Sequence, residues 1–164
     1  LYVKAGTDLQ PILTGGGQER GLRSGTENVP AAIGFSAALE IAQSSRRDET
    51  VRIRRLQTLF LDRLRSAVPG AVVNGSLKHR LPNNVHVTIP GQDNERLLIQ
   101  LDEAGIMAAA GSACSASREE PSHVLGAIGM TDSDARSSLR FTMGRDTTEA
   151  MVRKTVRTLA DLLS

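Results

Sequence analysis

Cys114 is the only cysteine in this 164-residue chain and the side chain whose type most directly indicates chemistry. It lies in the run Gly-Ser-Ala-Cys-Ser-Ala-Ser at 111–117. Small neighbours leave the sulfur open to a reactant, and Gly111 allows backbone conformations that bulkier residues resist. A lone cysteine is also commonly an inert, buried side chain. The setting favours a reactive thiol on a mobile loop, with a packed thiol as the alternative.

A glycine-rich segment at 15–26 is the second candidate site. Its backbone N–H groups can surround an anion, and Ser24, Thr26, Arg20 and Arg23 add hydroxyl and guanidinium donors. The segment lacks the Gly-Lys-Ser/Thr of a nucleotide-binding loop and the Gly-x-Gly-x-x-Gly that opens a dinucleotide-binding helix. The pattern is compatible with a phosphate-binding loop and equally with a flexible crossover.

Arg140 is the third candidate. In the segment 137–143, Leu139, Phe141 and Met143 alternate with polar residues, which predicts a strand with Arg140 on its polar face. A guanidinium on a strand is held rigidly and matches a carboxylate with two parallel hydrogen bonds. The alternatives are a solvated arginine or a structural ion pair.

Composition excludes several classes of protein. Aromatic residues make up 2% of the chain with no Trp, so we expect no nucleic-acid partner that is bound by base stacking. The sequence has no apolar run long enough to cross a membrane. Three histidines and one cysteine lack the spacing of a metal site, so we expect no metal. A single cysteine is compatible with a reducing cytoplasm, the predicted location.

The hydrophobic pattern predicts the elements that must position these residues. A short strand opens the chain at Leu1, Tyr2 and Val3. The first predicted helix is capped by Asn28 and ends near 43–45, and a second helix covers 48–67. A third begins at Asp93 or Asn94 and ends at a cap formed by Gly105, and a short helix covers 123–128. The last helix begins with Asp146 and Glu149 as a capping box. The remaining predicted strands are 71–73, 85–89, 106–110 and 137–143.

Several of the connections are too short for parallel crossovers. The pattern therefore predicts an α/β fold with a mainly antiparallel sheet and helices packed on it.

Four segments together resemble the cysteine desulfurases of the class V aminotransferase superfamily, in order and in spacing. They are 15–26, Gly-Ser-Ala-Cys-Ser (111–115), Pro-Ser-His-Val-Leu (121–125) and Ser-Ser-Leu-Arg-Phe-Thr-Met-Gly-Arg (137–145). The cysteine segment is similar to that of the NifS/IscS-type group. The Arg-x-Gly-His-His-Cys-type sequence of the SufS-type group is absent.

The resemblance implies a homodimeric fold-type I enzyme that uses pyridoxal 5'-phosphate to convert L-cysteine to L-alanine. It implies that residues 1–28 are the end of the large cofactor-binding domain, with the glycine-rich loop, and that 29–164 are the C-terminal small domain. Cys114 would receive the sulfur as a persulfide and pass it to an acceptor such as an iron–sulfur scaffold protein. Arg140 would bind the substrate carboxylate, and Thr26 would contact the phosphate of the partner subunit's cofactor.

One departure from the family concerns the cofactor lysine, which lies in a His-Lys segment just before the Leu-Tyr-Val strand in such enzymes. Lys4, Lys78 and Lys154 are the lysines of this chain, and none has that context. We therefore expect a C-terminal portion that is inactive by itself. The alternatives are a sulfur-carrier or interaction fragment without catalysis, and a selenocysteine lyase-type activity.

Overall fold

The computed structural model describes residues 1–110 and 122–164. The chain divides into two compact units, Leu1–Arg46 and Arg47–Ser164. The predicted domain boundary after residue 28 stays a prediction. The elements are a 3-10 turn (Glu19–Gly21), α1 (Val29–Ala67), β1 (Val72–Val73), β2 (Asn84–Thr88), α2 (Asn94–Glu103), α3 (His123–Ala127), α4 (Asp132–Arg136), β3 (Ser138–Thr142) and α5 (Glu149–Leu162).

The three strands form an antiparallel sheet in the order β1-β2-β3. In the register of β2 and β3, Val85 lies opposite Phe141 and Val87 lies opposite Leu139. These four residues are buried. Because side chains alternate across a strand, the intervening pairs Asn84 with Thr142, His86 with Arg140 and Thr88 with Ser138 share the other, polar face.

The core of the unit 47–164 lies between the apolar sheet face and the helices. Phe60 of α1 meets Phe141 of β3 with ring centroids 5.1 Å apart, a tilted pair. Helices α2 and α5 close the core with their periodic apolar stripes: Leu97, Leu101, Val152, Val156 and Leu159. The predicted fold class, an antiparallel sheet with helices packed on it, is confirmed.

The unit 1–46 contains no buried residue. The first part of α1 begins after Asn28, whose side-chain oxygen accepts from the N–H of Ala31 at 3.0 Å, as predicted for a helix cap. Large apolar side chains of this part are exposed: Ile33, Phe35, Leu39 and Ile41. Helix formation here is therefore not accompanied by burial of a core within the unit.

The predicted break between two helices near 43–48 is wrong, because α1 runs without interruption for 39 residues. Ser44 and Ser45 were expected to end the first helix. Instead, both hydroxyls donate to the carbonyl oxygen of Ile41, at 2.9 and 3.0 Å. Such bonds to the carbonyl oxygen of the preceding turn satisfy a serine hydroxyl inside a helix. No glycine or proline lies in 43–48 to end the helix.

Two predicted strands are also not observed. Leu1 to Val3 have no regular structure, and no strand among the described residues pairs with them. In 106–110 the pairing is limited to Ala109, which forms an isolated bridge with Arg140. This segment is rich in alanine, which has a low preference for strands.

The start of the last helix differs from the prediction as well. Its cap is Thr148, whose hydroxyl accepts from the N–H of Met151 at 3.3 Å, and not Asp146. Helix α4, capped by Thr131, was not predicted from sequence. By contrast, Asp93 caps α2 through the N–H groups of Glu95 and Arg96, as expected. None of the helices in the described part of the chain has the length and apolar character of a membrane span.

Candidate functional site

Arg140 lies in the middle of β3, directly opposite His86 of β2 on the polar sheet face. Its side chain is half-buried. Within residues 1–110 and 122–164, no hydrogen-bond or ion-pair partner engages its guanidinium. A rigidly placed guanidinium without a partner among these residues is suited to a carboxylate ligand.

The backbone of Arg140 is tied to the segment that leads to Cys114. The N–H of Arg140 donates to the carbonyl oxygen of Ala109 at 2.7 Å, and the N–H of Ala109 donates back at 3.0 Å. Cys114 itself lies outside the described residues, so its predicted role is not tested by the structure. What the structure does place beside Arg140 is Ala109, which precedes the cysteine segment.

His86 is held in one tautomer by Asn74. The Thr88 hydroxyl donates to Oδ1 of Asn74 at 3.0 Å, so the amide nitrogen of Asn74 faces Nδ1 of His86, at 2.8 Å. That nitrogen therefore accepts, and the ring proton is on Nε2. Burial lowers the pKa of His86 to about 4, assisted by the positive charges of Arg80 and Arg140. The imidazole is neutral near pH 7 and presents a donor.

Arg80 supplies a second guanidinium. Its Nη2 donates to the backbone carbonyl oxygen of Asn74. Its Nη1 is buried and has no hydrogen-bond partner in the described part of the chain. Gly75 makes room for this arrangement, because its φ is +72° and a Cβ there would lie 3.1 Å from Nη2 of Arg80. Burial lowers the pKa of the Arg80 guanidinium.

These side chains line an open cavity of about 360 Å³. Arg80, His86 and Arg140 supply its titratable groups together with His79, and the described lining contains no carboxylate. A cavity with two guanidinium groups and no acidic residue in its described lining is suited to an anion.

Thr26 lies in the other unit, in the exposed glycine-rich segment. The Arg23 guanidinium donates to the carbonyl oxygens of Gly25 at 2.9 Å and Thr26 at 3.3 Å, and Oε1 of Gln18 accepts from the N–H of Gly25 at 2.9 Å. The Thr26 hydroxyl has no partner among the described residues. A hydroxyl with a cation beside it is compatible with phosphate, and the predicted role of Thr26 stays a prediction.

Sequence reasoning identified Arg140 but not Arg80 or His86 as members of one cavity. His86 carried a usable signal, since it alternates with Val85 and Val87 and so had to lie on the polar strand face. Arg80 carried no such signal, because its position depends on the turn at Gly75. No group of three His, Cys, Asp or Glu side chains in the described ranges is arranged to hold a metal.

Comparison with known proteins agrees with the motifs. The aminotransferase class-V family matches residues 1–154. Cysteine desulfurase IscS 1 of Archaeoglobus fulgidus is 42% identical over 163 residues, and the match covers 99% of this chain and 42% of that protein. Cysteine desulfurase IscS of Dictyoglomus turgidum is 37% identical over 163 residues, covering 99% of this chain and 41% of the relative.

Among solved structures, a NifS-like protein superimposes with a TM-score of 0.83 at 30% identity, over 99% of this chain and 41% of that chain. SspA in complex with cysteine superimposes with a TM-score of 0.57 at 27% identity, over 84% of this chain and 36% of that chain.

This chain belongs to the aminotransferase class-V family, whose enzymes depend on pyridoxal 5'-phosphate. The resemblance to cysteine desulfurases of the NifS/IscS type is confirmed by the relatives. The chain spans about two fifths of the length of the curated relatives it matches.

Proposed function

We propose that this chain is the C-terminal part of a cysteine desulfurase, with the end of the large domain at 1–28 and the small domain at 29–164. The reaction is the transfer of sulfur from L-cysteine to Cys114, with release of L-alanine. The observation that carries the proposal is the pairing of Arg140 with Ala109, because it places a guanidinium that has no partner among the described residues next to the start of the cysteine segment. The names of the relatives support desulfuration over the carrier and selenocysteine lyase alternatives.

Arg140 binds the α-carboxylate of L-cysteine. Its position on a paired strand fixes the direction of the guanidinium, and the absence of acidic residues from the described cavity lining leaves that charge for the substrate. Binding through the carboxylate orients the thiol group of the substrate while leaving it free to react.

Cys114 acts as the nucleophile. Its thiolate attacks the sulfur of the bound cysteine, the bond between that sulfur and the substrate Cβ breaks, and the electron pair remains with the carbon fragment, which takes up a proton and leaves as alanine. A thiol with an ordinary pKa of about 8.5 has enough thiolate near neutral pH for this step. The product on the chain is a persulfide, which a sulfur acceptor such as an iron–sulfur scaffold protein then takes.

Pyridoxal 5'-phosphate, when bound, supplies the electron sink that labilises the bonds of the amino acid. The Thr26 hydroxyl and the guanidinium of Arg23 would hold its phosphate in the partner subunit's site, across the interface of a homodimer. The chain's three lysines are not the attachment site, so by itself the chain is inactive. One cysteine and no internal disulfide suit a cytoplasmic enzyme.

The test uses the protein made from the complete reading frame that contains these residues, purified with pyridoxal 5'-phosphate. Wild type is expected to form alanine and sulfide from L-cysteine in the presence of a reductant. Without reductant, mass spectrometry should find an added mass of about 32 Da on Cys114, one persulfide sulfur. Cys114→Ala should abolish both results and keep the yellow colour of the cofactor.

Ser115→Ala is the matched control, since it makes a similarly small change next to the thiol. It is expected to retain sulfur transfer. Unchanged sulfur transfer by Cys114→Ala, or no alanine from wild type, would contradict the proposed function.

A further inference from the structure

The cavity around Arg140 is lined by a second guanidinium, which has no acidic partner among the described residues. Nη2 of Arg80 donates to the carbonyl oxygen of Asn74, but Nη1 is buried without a partner within 1–110 and 122–164. A buried donor without a partner costs free energy, more so when the group is charged. The same cavity is lined by Arg140, which also lacks a partner in the described part of the chain.

We propose that Arg80 is a second carboxylate-binding residue, which binds the α-carboxylate of the amino-acid substrate together with Arg140. The proposal rests on the proposed function for the identity of the ligand. A carboxylate has two oxygens and about four lone-pair directions, so two guanidinium groups can donate to one carboxylate. The anion would accept from both guanidinium groups and separate the two positive charges.

The surroundings of the two guanidinium groups favour this arrangement. His86 lies opposite Arg140, and its Nδ1 accepts from the side chain of Asn74, which keeps the ring in a neutral form with a donor on Nε2. A third positive charge is thereby avoided in the cavity. The turn at Gly75 and the bond to Asn74 fix Arg80 before the ligand arrives, which lowers the entropic cost of binding.

The discriminating variant is Arg80→Lys in the complete holoenzyme. Lysine keeps the positive charge and one donor for the Asn74 carbonyl, so it preserves a merely structural role, but it lacks the second nitrogen of the fork. Loss of one charge-assisted hydrogen bond should raise the KM for L-cysteine about tenfold. The kcat should change less than about twofold, since an interaction made equally in the bound substrate and the transition state affects KM alone.

A second measurement does not depend on turnover. Sodium acetate is titrated into the holoenzyme with isotope-labelled histidine, and the His86 imidazole signal is followed by NMR, with the exposed His123 as internal reference. Acetate should shift the His86 signal in wild type and bind about tenfold more weakly to Arg80→Lys. Arg63→Gln, which removes an exposed guanidinium from α1, is the control and should match wild type in both measurements.

The outcomes separate the two proposals. A KM and an acetate affinity for Arg80→Lys equal to those of wild type would overturn the role of Arg80 and leave desulfuration standing. Failure of wild type to form alanine would overturn the proposed function, while the acetate titration would still decide whether Arg80 binds a carboxylate. If Arg80→Lys does not fold, the Arg80 side-chain nitrogen signals of wild type decide: they must shift with acetate, and unmoved signals contradict the proposal.

Discussion

His86 illustrates how one side chain is tuned by its neighbours on a sheet. It is held by Asn74 through Nδ1, and Asn74 is in turn held by Thr88, so the polar face of β2 is a connected set of hydrogen bonds. The positive charges that face the ring are those of Arg80 and Arg140. Protonation of His86 would break the bond from Asn74 and add a third charge, so the fold favours the neutral ring.

The stability of the fold should therefore depend on pH through His86. The pKa of this residue is about 4 in the folded chain against an ordinary value of 6.5, so between these values the unfolded chain binds the extra proton. Stability falls as pH falls through this window. After allowance for solvent screening at this half-buried site, we expect a loss of about 1 kcal/mol between pH 7 and 5 that His86→Asn lacks.

Urea unfolding of both proteins at pH 7 and pH 5 measures this difference. Equal m-values in the two proteins serve as the control that the unfolded states are comparable. An identical pH dependence of the free energy of unfolding in wild type and His86→Asn would contradict the prediction.

At the scale of elements, α1 acts as the support on which the sheet is positioned. Nε2 of Gln57 donates to the carbonyl oxygen of Asn84 at 2.8 Å, at the start of β2. The Arg52 guanidinium donates to the carbonyl oxygens of Thr147 at 2.7 Å and Gly144 at 2.9 Å, in the turn between β3 and α5. Helix α1 thereby fixes where β2 begins and where β3 ends, and so where His86 and Arg140 lie.

The cap of α5 gives a test of this turn. Thr148→Ala removes the oxygen that accepts from the N–H of Met151, and we expect the free energy of unfolding to fall by about 1 kcal/mol. Asp146→Ala, in the same turn but not at the cap, should change it by no more than about 0.5 kcal/mol. Chemical denaturation of both variants measures the two free energies of unfolding. A larger decrease for Asp146→Ala than for Thr148→Ala would support the capping box at Asp146 that the sequence predicts.

At the scale of the whole chain, the two compact units differ in how they are stabilised. The unit 47–164 has a core that includes fully buried Val85, Val87, Leu101, Leu139 and Leu159. The unit 1–46 has no buried residue, while Phe35 is 73% exposed and Ile33 is 65% exposed. Exposed apolar side chains in such numbers are typical of a surface that another protein surface covers.

Hydrogen exchange of the 164-residue chain should show this difference directly. Backbone amides in 1–28 have few protecting contacts and should exchange close to the rate of an unfolded peptide, whereas those of β2 and β3 should be strongly protected. Mass spectrometry of peptic fragments resolves the segments. Protection in 1–28 comparable to that of 84–88 would show that these residues are covered in solution.

Much of the fold was predictable because its signals are local. The alternation in 85–89 and 137–143 predicted the two strands, and Asn28, Asp93 and Gly105 predicted helix ends through their own side chains and backbone preferences. The errors arose where a local signal was weak. Ser44 and Ser45 are equally acceptable within a helix and at its end, and the alanines of 106–110 specify no strand without a partner.

The sequence by itself determined the family, the antiparallel fold and the candidate functional residues Cys114, Arg140 and Thr26. Motifs and hydrophobic periodicity can be recognised in the sequence because they depend only on residue types and their spacing. Only the tertiary structure decided that Arg80 and His86 line one cavity with Arg140. Those contacts depend on the register of β2 with β3 and on the turn at Gly75, and both are set by packing between residues that are far apart in sequence.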